Sequence, residues 1–319
     1  MSADRDVAAP RAPAAPFAPA PVQRAGPVLA LLFNAFVWGT SWWPLRFLEA
    51  HGVHPLWTTA IVFVLASAVI AAWRPAALGR LLGSRALWLL LLAAGTTNAA
   101  FNWGVVIGDV VRVVLLFYLM PVWSVLLARL VLHERLDAAA ALRVALALAG
   151  AAIVLWPEQT GAGFALPWPR SLGDWLGVLG GFTFALNNVM LRREAAQPAE
   201  ARALAMFAGA ALVPGLLAGL LAIDDPSVRL HAVGADAAAM VLALTVGFLA
   251  SNLALQYGAA RLPAYLTAVV MLTEVLFASI SSALLGASAW SLQLGAGGAL
   301  IVLAALLAAT SPAQEAQAG

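Results

Sequence analysis

Ten apolar runs, each long enough to cross a lipid bilayer, occupy most of this sequence of 319 residues. A transmembrane α-helix needs about 20 consecutive apolar residues, because the hydrocarbon core of a bilayer is about 30 Å thick. Short segments with Arg, Pro, Asp or Gly separate the runs. The predicted spans are 27–48, 56–73, 86–106, 111–132, 138–156, 172–192, 202–222, 236–257, 263–285 and 291–310. The predicted fold class is therefore an all-α polytopic membrane protein with ten transmembrane helices.

The composition favours a membrane protein and excludes several other classes. Hydrophobic residues make up 63% of the chain and charged residues only 10%, whereas soluble domains carry about 25% charged residues. The absence of cysteine excludes disulfides and thiolate metal sites, and the chain lacks the phosphate-binding loop typical of ATP-driven transport. We therefore expect no catalytic residues, no metal and no cofactor.

The distribution of arginine predicts the orientation in the membrane. All 17 basic residues are Arg, and a cytoplasmic N-terminus would place thirteen of them inside and four outside. This bias follows the positive-inside rule and argues against a nucleic-acid-binding surface. The Ala-, Arg- and Pro-rich composition suggests a bacterium with GC-rich DNA. We expect a multi-pass protein of the bacterial cytoplasmic (inner) membrane, with a disordered cytoplasmic tail at 1–26 and a second cytoplasmic tail at 311–319.

Two parts of the chain resemble each other at an offset of 154 residues. TNAAFNWG (97–104) matches SNLALQYG (251–258), so that Asn98 is paired with Asn252. Paired amide positions inside apolar segments are unlike the chance matches that small apolar residues produce. The match predicts that the chain contains an internal repeat.

The repeat predicts two halves, residues 27–156 and 172–310, each with five helices. Because five is an odd number, the second half would enter the membrane from the side opposite to the first. Inverted repeats of this kind are typical of secondary transporters, in which the binding site lies near the bilayer midplane between the halves.

Residues 102–136 resemble the fourth helix of the drug/metabolite transporter superfamily, in its ten-helix EamA family. Trp38 and Gly39 in FVWGTSW resemble the first helix of that family. The features of the fourth helix that match are Tyr118-Leu119-x-Pro121, Trp123 and Glu134-Arg135.

Two positions depart from the family pattern. His133 stands where the family often has Gly before the Glu-Arg pair. The family often has a Glu-Pro pair in the fourth and ninth helices, whereas this chain has Met120-Pro121 and Glu274-Val275. Each half therefore keeps one member of the pair.

The resemblance implies a secondary transporter that moves small metabolites, often amino acids or related compounds, by alternating access, with export as the expected direction. Uptake, or exchange of nucleotide sugars or metabolites, is the alternative within the superfamily. An integral membrane enzyme that acts on lipids is the alternative from another class, and it would need a catalytic cluster near one membrane face. We predict no enzyme activity. The expected partners are a small-molecule substrate and the lipid bilayer, with no nucleic acid, for a monomer or a homodimer.

Polar side chains form stripes on several predicted helices. Polar groups in hydrocarbon are costly unless they have a partner or face water, so these stripes predict either a central cavity or hydrogen bonds that join helices. The residues predicted to bind substrate are Asn34, Trp38, Ser41, Asn98, Asn102, Trp103, Tyr118, Asn187, Asn252, Gln256 and Tyr257.

Glu274 lies in the middle of the predicted span 263–285. Its carboxyl group is a candidate for proton coupling, a ligand for a cationic substrate group, or a structural acid kept neutral by burial. Pro44 and Pro121 lie within spans and are candidate hinges, because proline removes a helical hydrogen bond.

Overall fold

The computed structural model of the protein describes residues 25–108, 110–134, 138–154, 169–232, 234–286 and 292–309. In this part of the chain the regular structure is helical, without strands. The α-helices are α1 (Ala25–Thr40), α2 (Trp42–Ala50), α3 (Pro55–Trp73), α4 (Ala76–Gly83), α5 (Arg85–Ile107), α6 (Val110–Phe117), α7 (Met120–Leu127), α8 (Ala138–Val154), α9 (Leu172–Arg193), α10 (Ala199–Asp224), α11 (Ala235–Ala259), α12 (Ala264–Met271), α13 (Thr273–Leu284) and α14 (Leu292–Ala309).

Among the described residues, five helical segments are long and apolar enough to cross a membrane. They are Ala25–Ala50, Pro55–Trp73, Ala199–Asp224, Ala235–Ala259 and Ala264–Ser281. The pair α4 and α5, bent by 96°, gives a sixth if it is counted as one span. The prediction of an all-helical membrane protein is confirmed, whereas ten crossings and the inverted repeat remain predictions. The two predicted tails lie outside the described residues, apart from residues 25 and 26, which start α1.

Large apolar side chains on the outside of the bundle fit a surface covered by lipid. Leu216 and Leu220 on α10 and Val246 on α11 are all more than half exposed. Soluble monomers rarely expose contiguous apolar surface of this kind. Inside the bundle, α5 packs against α9 and α10, α10 packs against α3, α1 packs against α11, and α8 packs against α14.

Glycine allows the closest of these helix contacts. A Cβ atom added to Gly95 of α5 would lie 2.5 Å from the Gly209 carbonyl oxygen of α10. A Cβ atom on Gly209 would in turn collide with the backbone of Leu91. Small residues let transmembrane helices approach until their backbones touch, which increases the van der Waals contact that holds them together.

Three long helical segments are interrupted near their middle. Ser41 separates α1 from α2, Tyr118 and Leu119 separate α6 from α7, and Leu272 separates α12 from α13. Tyr118 precedes Leu272 by 154 residues, the same offset as the sequence repeat. The predicted hinges lie just after two of these breaks, because Pro44 belongs to the first turn of α2 and Pro121 to that of α7.

The helix that contains α7 ends in an unusual backbone conformation. A π-helical segment, Ala128–Leu132, follows α7 and terminates at His133, which has φ 56° and ψ 25°. This left-handed conformation favours glycine, because a Cβ atom crowds the backbone there. His133, which stands where the family often has Gly, therefore adopts a conformation that glycine would adopt without strain.

We expect Gly209→Ala to destabilise the protein by about 1–3 kcal/mol, since the added methyl group collides with Leu91. Gly219→Ala on the same helix is the matched control, because its Cβ atom would meet nothing within 4 Å. Helix propensity predicts that this control gains up to about 1 kcal/mol. Thermal unfolding in detergent measures both, and a Gly209→Ala protein as stable as the parent would contradict the packing described.

We expect His133→Gly to leave stability unchanged or raise it by up to about 1 kcal/mol, whereas His133→Val should lower it by about 1–2 kcal/mol. A β-branched side chain is disfavoured at φ 56°, while glycine adopts this φ without strain. Unfolding temperatures of the two variants, compared in one detergent, provide the test. Equal stability of the Gly and Val variants would show that the left-handed conformation is not maintained.

Candidate functional site

A central cavity lies where the stripes of polar side chains converge. The centre of a water-sized sphere can occupy about 60 Å³ of it, which is enough for a few water molecules. Eight helices contribute to its wall, namely α1, α5, α6, α9, α10, α11, α12 and α13. The lining residues are Asn34, Trp38, Ala94, Thr97, Asn98, Phe101, Asn102, Phe117, Phe184, Asn187, Met206, Asn252, Leu255, Met271 and Glu274.

Two asparagines of the cavity wall join neighbouring helices. Asn34 Nδ2 on α1 donates a hydrogen bond of 2.8 Å to the Ser251 carbonyl oxygen on α11. Asn102 Nδ2 on α5 donates one of 2.6 Å to Thr59 Oγ1 on α3. These bonds orient the amide groups, so part of each polar stripe stabilises the helix bundle.

The amide groups leave oxygen atoms available to a ligand. Asn98 Nδ2 and Asn252 Nδ2 donate to carbonyl oxygens of their own helices, at 2.9 and 2.8 Å. Asn34 Oδ1 and Asn187 Oδ1 are buried and have no hydrogen-bond partner among the described residues. These two free oxygens can accept hydrogen bonds from a ligand.

Glu274 is the one residue with an ionisable side chain among the fifteen that line the cavity. The break at Leu272 places it in the first turn of α13. Backbone N–H groups at a helix N-terminus lack intrahelical partners and favour a negative charge. The break therefore puts a carboxyl group at the start of a helix in the interior of the bundle.

Aromatic rings cover one part of the cavity wall. Phe117 lies 4.7 Å from Phe101 and 5.7 Å from Phe184, measured between ring centroids. Trp38 is stacked on Phe248, with their ring centroids 4.3 Å apart. One face of Trp38 is thus used for packing, and its remaining surface contributes to the cavity wall.

Seven of the residues predicted from the sequence line this cavity together. They are Asn34, Trp38, Asn98, Asn102, Asn187, Asn252 and Glu274. The sequence did not single out Thr97, Phe101, Phe117, Phe184, Met206 or Met271, which also line it. Thr97 could have been found from the sequence, because it begins the repeated segment TNAAFNWG. In the structure its hydroxyl donates a hydrogen bond of 3.0 Å to Thr183 Oγ1.

Five other predicted residues do not line the cavity. Ser41 Oγ donates to the Trp38 carbonyl oxygen at 2.7 Å, and Tyr118 is buried with its ring against Phe117. Trp103 lines a separate cavity beside the loop between α2 and α3.

The remaining two lie toward the end of α11. Gln256 is buried one helical turn beyond Asn252. Tyr257 is 42% exposed, with the Arg261 guanidinium 3.9 Å from its ring centroid. Their contribution to substrate binding, like that of the other predicted site residues, remains a prediction.

Comparison with known proteins agrees with the resemblance noted in the sequence. Residues 25–156 match the EamA-like transporter family, which belongs to the drug/metabolite transporter superfamily. No curated protein matches the chain. Several solved structures resemble the chain. One of them, a protein crystal structure, has a TM-score of 0.67 and 24% sequence identity, and the match covers 89% of this chain and 96% of that one. At this identity the similarity concerns the fold alone.

Proposed function

We propose that this membrane protein, which matches the EamA-like transporter family over residues 25–156, is a secondary transporter for small metabolites that carry an amine. The proposal depends on one observation above all, the Glu274 carboxyl group in an otherwise uncharged cavity. Amino acids and related compounds are the substrates considered first. The proposed location is the bacterial inner membrane with both termini in the cytoplasm.

The chemistry of the cavity favours a substrate with a hydrogen-bond donor and an apolar body. A protonated amine can donate to Glu274 and to the free oxygens of Asn34 and Asn187. The rings of Phe101 and Phe184 provide an apolar surface for the rest of the substrate. No Arg or His is among the lining residues, so a compound with a net negative charge has no counterion in the cavity.

A carboxylate away from water needs a neutralising partner, either a bound proton or a cation. Glu274 can accept one of them at a time. A proton and an amine would therefore compete for the same carboxyl group, which couples the movement of the substrate to that of protons. The break beside Glu274, and the corresponding break before Pro121, supply points at which the helices can bend during alternating access.

The cavity must widen to hold such a substrate. Ligand sites for drug-sized molecules usually enclose about 300–1,000 Å³, whereas this cavity has only about 60 Å³ open to the centre of a water-sized sphere. We propose that transport uses a second conformation in which the halves separate on one side. Export is the proposed direction, with uptake or exchange as the alternative.

Metabolite profiling of cells with and without the protein identifies candidate substrates, and counterflow in proteoliposomes tests them. The expected result is that an amine accumulates in cells that lack the protein and exchanges in liposomes that contain it. Counterflow absent for every amine found in this way would contradict the proposal. Accumulation of the substrate in cells that express the protein would overturn export in favour of uptake.

We expect Glu274→Gln to weaken amine binding by at least about tenfold and to remove the pH dependence of transport, because a charge-assisted hydrogen bond is worth about 1.5–3 kcal/mol. Glu200→Gln in the first turn of α10 makes the same chemical change away from the cavity and should leave transport unchanged. Proteoliposome counterflow between pH 6 and pH 8 measures both variants. If a folded Glu274→Gln protein has the same transport rate and the same pH dependence as the parent, the proposed coupling role is contradicted.

A further inference from the structure

Several buried side chains have polar atoms without a hydrogen-bond partner among the described residues, and four of them lie on helices that pack against one another. They are Ser124 on α7, Asn188 on α9, Gln256 on α11 and Thr267 on α12. Each is at most 2% exposed. An unpaired polar group in a protein interior destabilises the folded state, so these groups need a physical explanation.

The four helices that carry these residues pack against one another. α12 contacts α7, α9 and α11. Gly177 and Gly181 of α9 meet the backbone of Val113 and Phe117, so α9 runs parallel to α6 and α7. Two helical turns farther along both segments, this register places Asn188 next to Ser124.

An apolar layer lies immediately beyond these polar groups. Ala128, Val189 and Ala264 form one buried contact cluster. Ser124 precedes Ala128 by about one helical turn on α7. Thr267 follows Ala264 by about one turn on α12, whose chain direction is opposite to that of α7. Ser124 and Thr267 therefore lie between this apolar layer and the cavity-lining residues Phe117 and Met271, whereas Asn188 directly precedes Val189 of the layer.

An ion pair closes the same end of the bundle. Arg192 Nε at the end of α9 lies 3.8 Å from Glu134 Oε1, and Arg192 also donates a hydrogen bond of 3.0 Å to the Ala260 carbonyl oxygen. The Ala264 N–H, at the start of α12, donates to the Glu134 carboxylate. Burial raises the pKa of Glu134, while Arg192 and Ala264 lower it, so its charged form depends on these two partners.

We propose that Ser124, Asn188, Gln256 and Thr267 line the half of the transport path that is closed in this structure, and that Glu134 and Arg192 form its gate. This inference rests on the proposed transport function. The order along the path is the cavity, the four polar side chains, the apolar layer and the ion pair. When α12 moves away from α7 and α9, water enters and supplies the missing hydrogen bonds.

Hydrogen bonding between helices explains these polar groups less well than a transport path does. Polar residues that hold transmembrane helices together do so by hydrogen bonding across the interface, as Asn34 and Asn102 do. Both polar atoms of Asn188 and both of Gln256 lack such partners in the described part of the chain. Unpaired polar groups in a native interior are expected at functional sites.

Cysteine labelling tests the proposal directly, because the chain has no native cysteine. Single variants Ser124→Cys and Thr267→Cys are placed in lipid nanodiscs, which leave both faces accessible, and reacted with a trimethylammonium methanethiosulfonate. Leu126→Cys is the matched control on α7, since Leu126 is 47% exposed on the outside of the bundle and lipid covers it. We expect Ser124→Cys and Thr267→Cys to react faster than this control.

Opening the gate should increase the reaction further. Glu134→Gln removes the ion pair and should raise labelling of Ser124→Cys and Thr267→Cys by at least about threefold, a modest shift in the population of the open state. Arg192→Gln removes the same ion pair by changing its other member, and it replaces Glu134→Gln in the test if that variant does not fold. Glu194→Gln removes the neighbouring pair between Arg193 and Glu194, and it should leave labelling unchanged.

Two results would overturn the proposal. The first is that Ser124→Cys and Thr267→Cys both react as slowly as Leu126→Cys, whether or not the protein also carries Glu134→Gln or Arg192→Gln. The second is an equal increase in labelling with Glu194→Gln, which would indicate that any such substitution loosens the helix packing.

The labelling experiment also separates the gate from the proposed function. Labelling needs no substrate, so an increase in a protein without counterflow would contradict the proposed function and leave the gate intact. Counterflow in a protein whose labelling never increases would contradict the gate alone.

Discussion

The position of the Glu274 carboxyl group is the constraint on which the rest of the account depends. A carboxylate in the interior of a membrane protein is costly unless a cation, a proton or helix dipoles stabilise it. The break at Leu272 puts Glu274 in the first turn of α13, beside the cavity that it lines. The surrounding amide and aromatic side chains then define a cavity with one acid and no base among its lining residues.

The structure joins this cavity to one end of the bundle through α12. The same short helix begins at the ion pair of Glu134 and Arg192, passes Thr267 and ends at the break before Glu274. A movement of α12 would therefore act on the gate and on the carboxyl group together. This gives a physical route by which the protonation or occupancy of Glu274 can determine which side of the cavity is open.

The sequence predicted what local patterns determine. Apolar runs predicted where helices occur, and amide positions such as Asn98 and Asn252 predicted much of the polar cavity wall. It did not predict the direction in which each residue faces, because helix rotation depends on packing between distant segments. Tyr257 is therefore exposed although Gln256 beside it is buried, and Phe184 was missed because an apolar side chain that lines a cavity looks like any core residue in the sequence.

The central claim is that one carboxyl group binds either a proton or the amine of the substrate. Its most direct test is the number of protons released when the purified protein, in weakly buffered detergent, binds an amine identified by counterflow. With Glu274 protonated before binding, we predict about one proton released per bound amine, and none from Glu274→Gln. If the parent protein binds the amine but releases no proton anywhere in the range from pH 5 to pH 9, the account is contradicted.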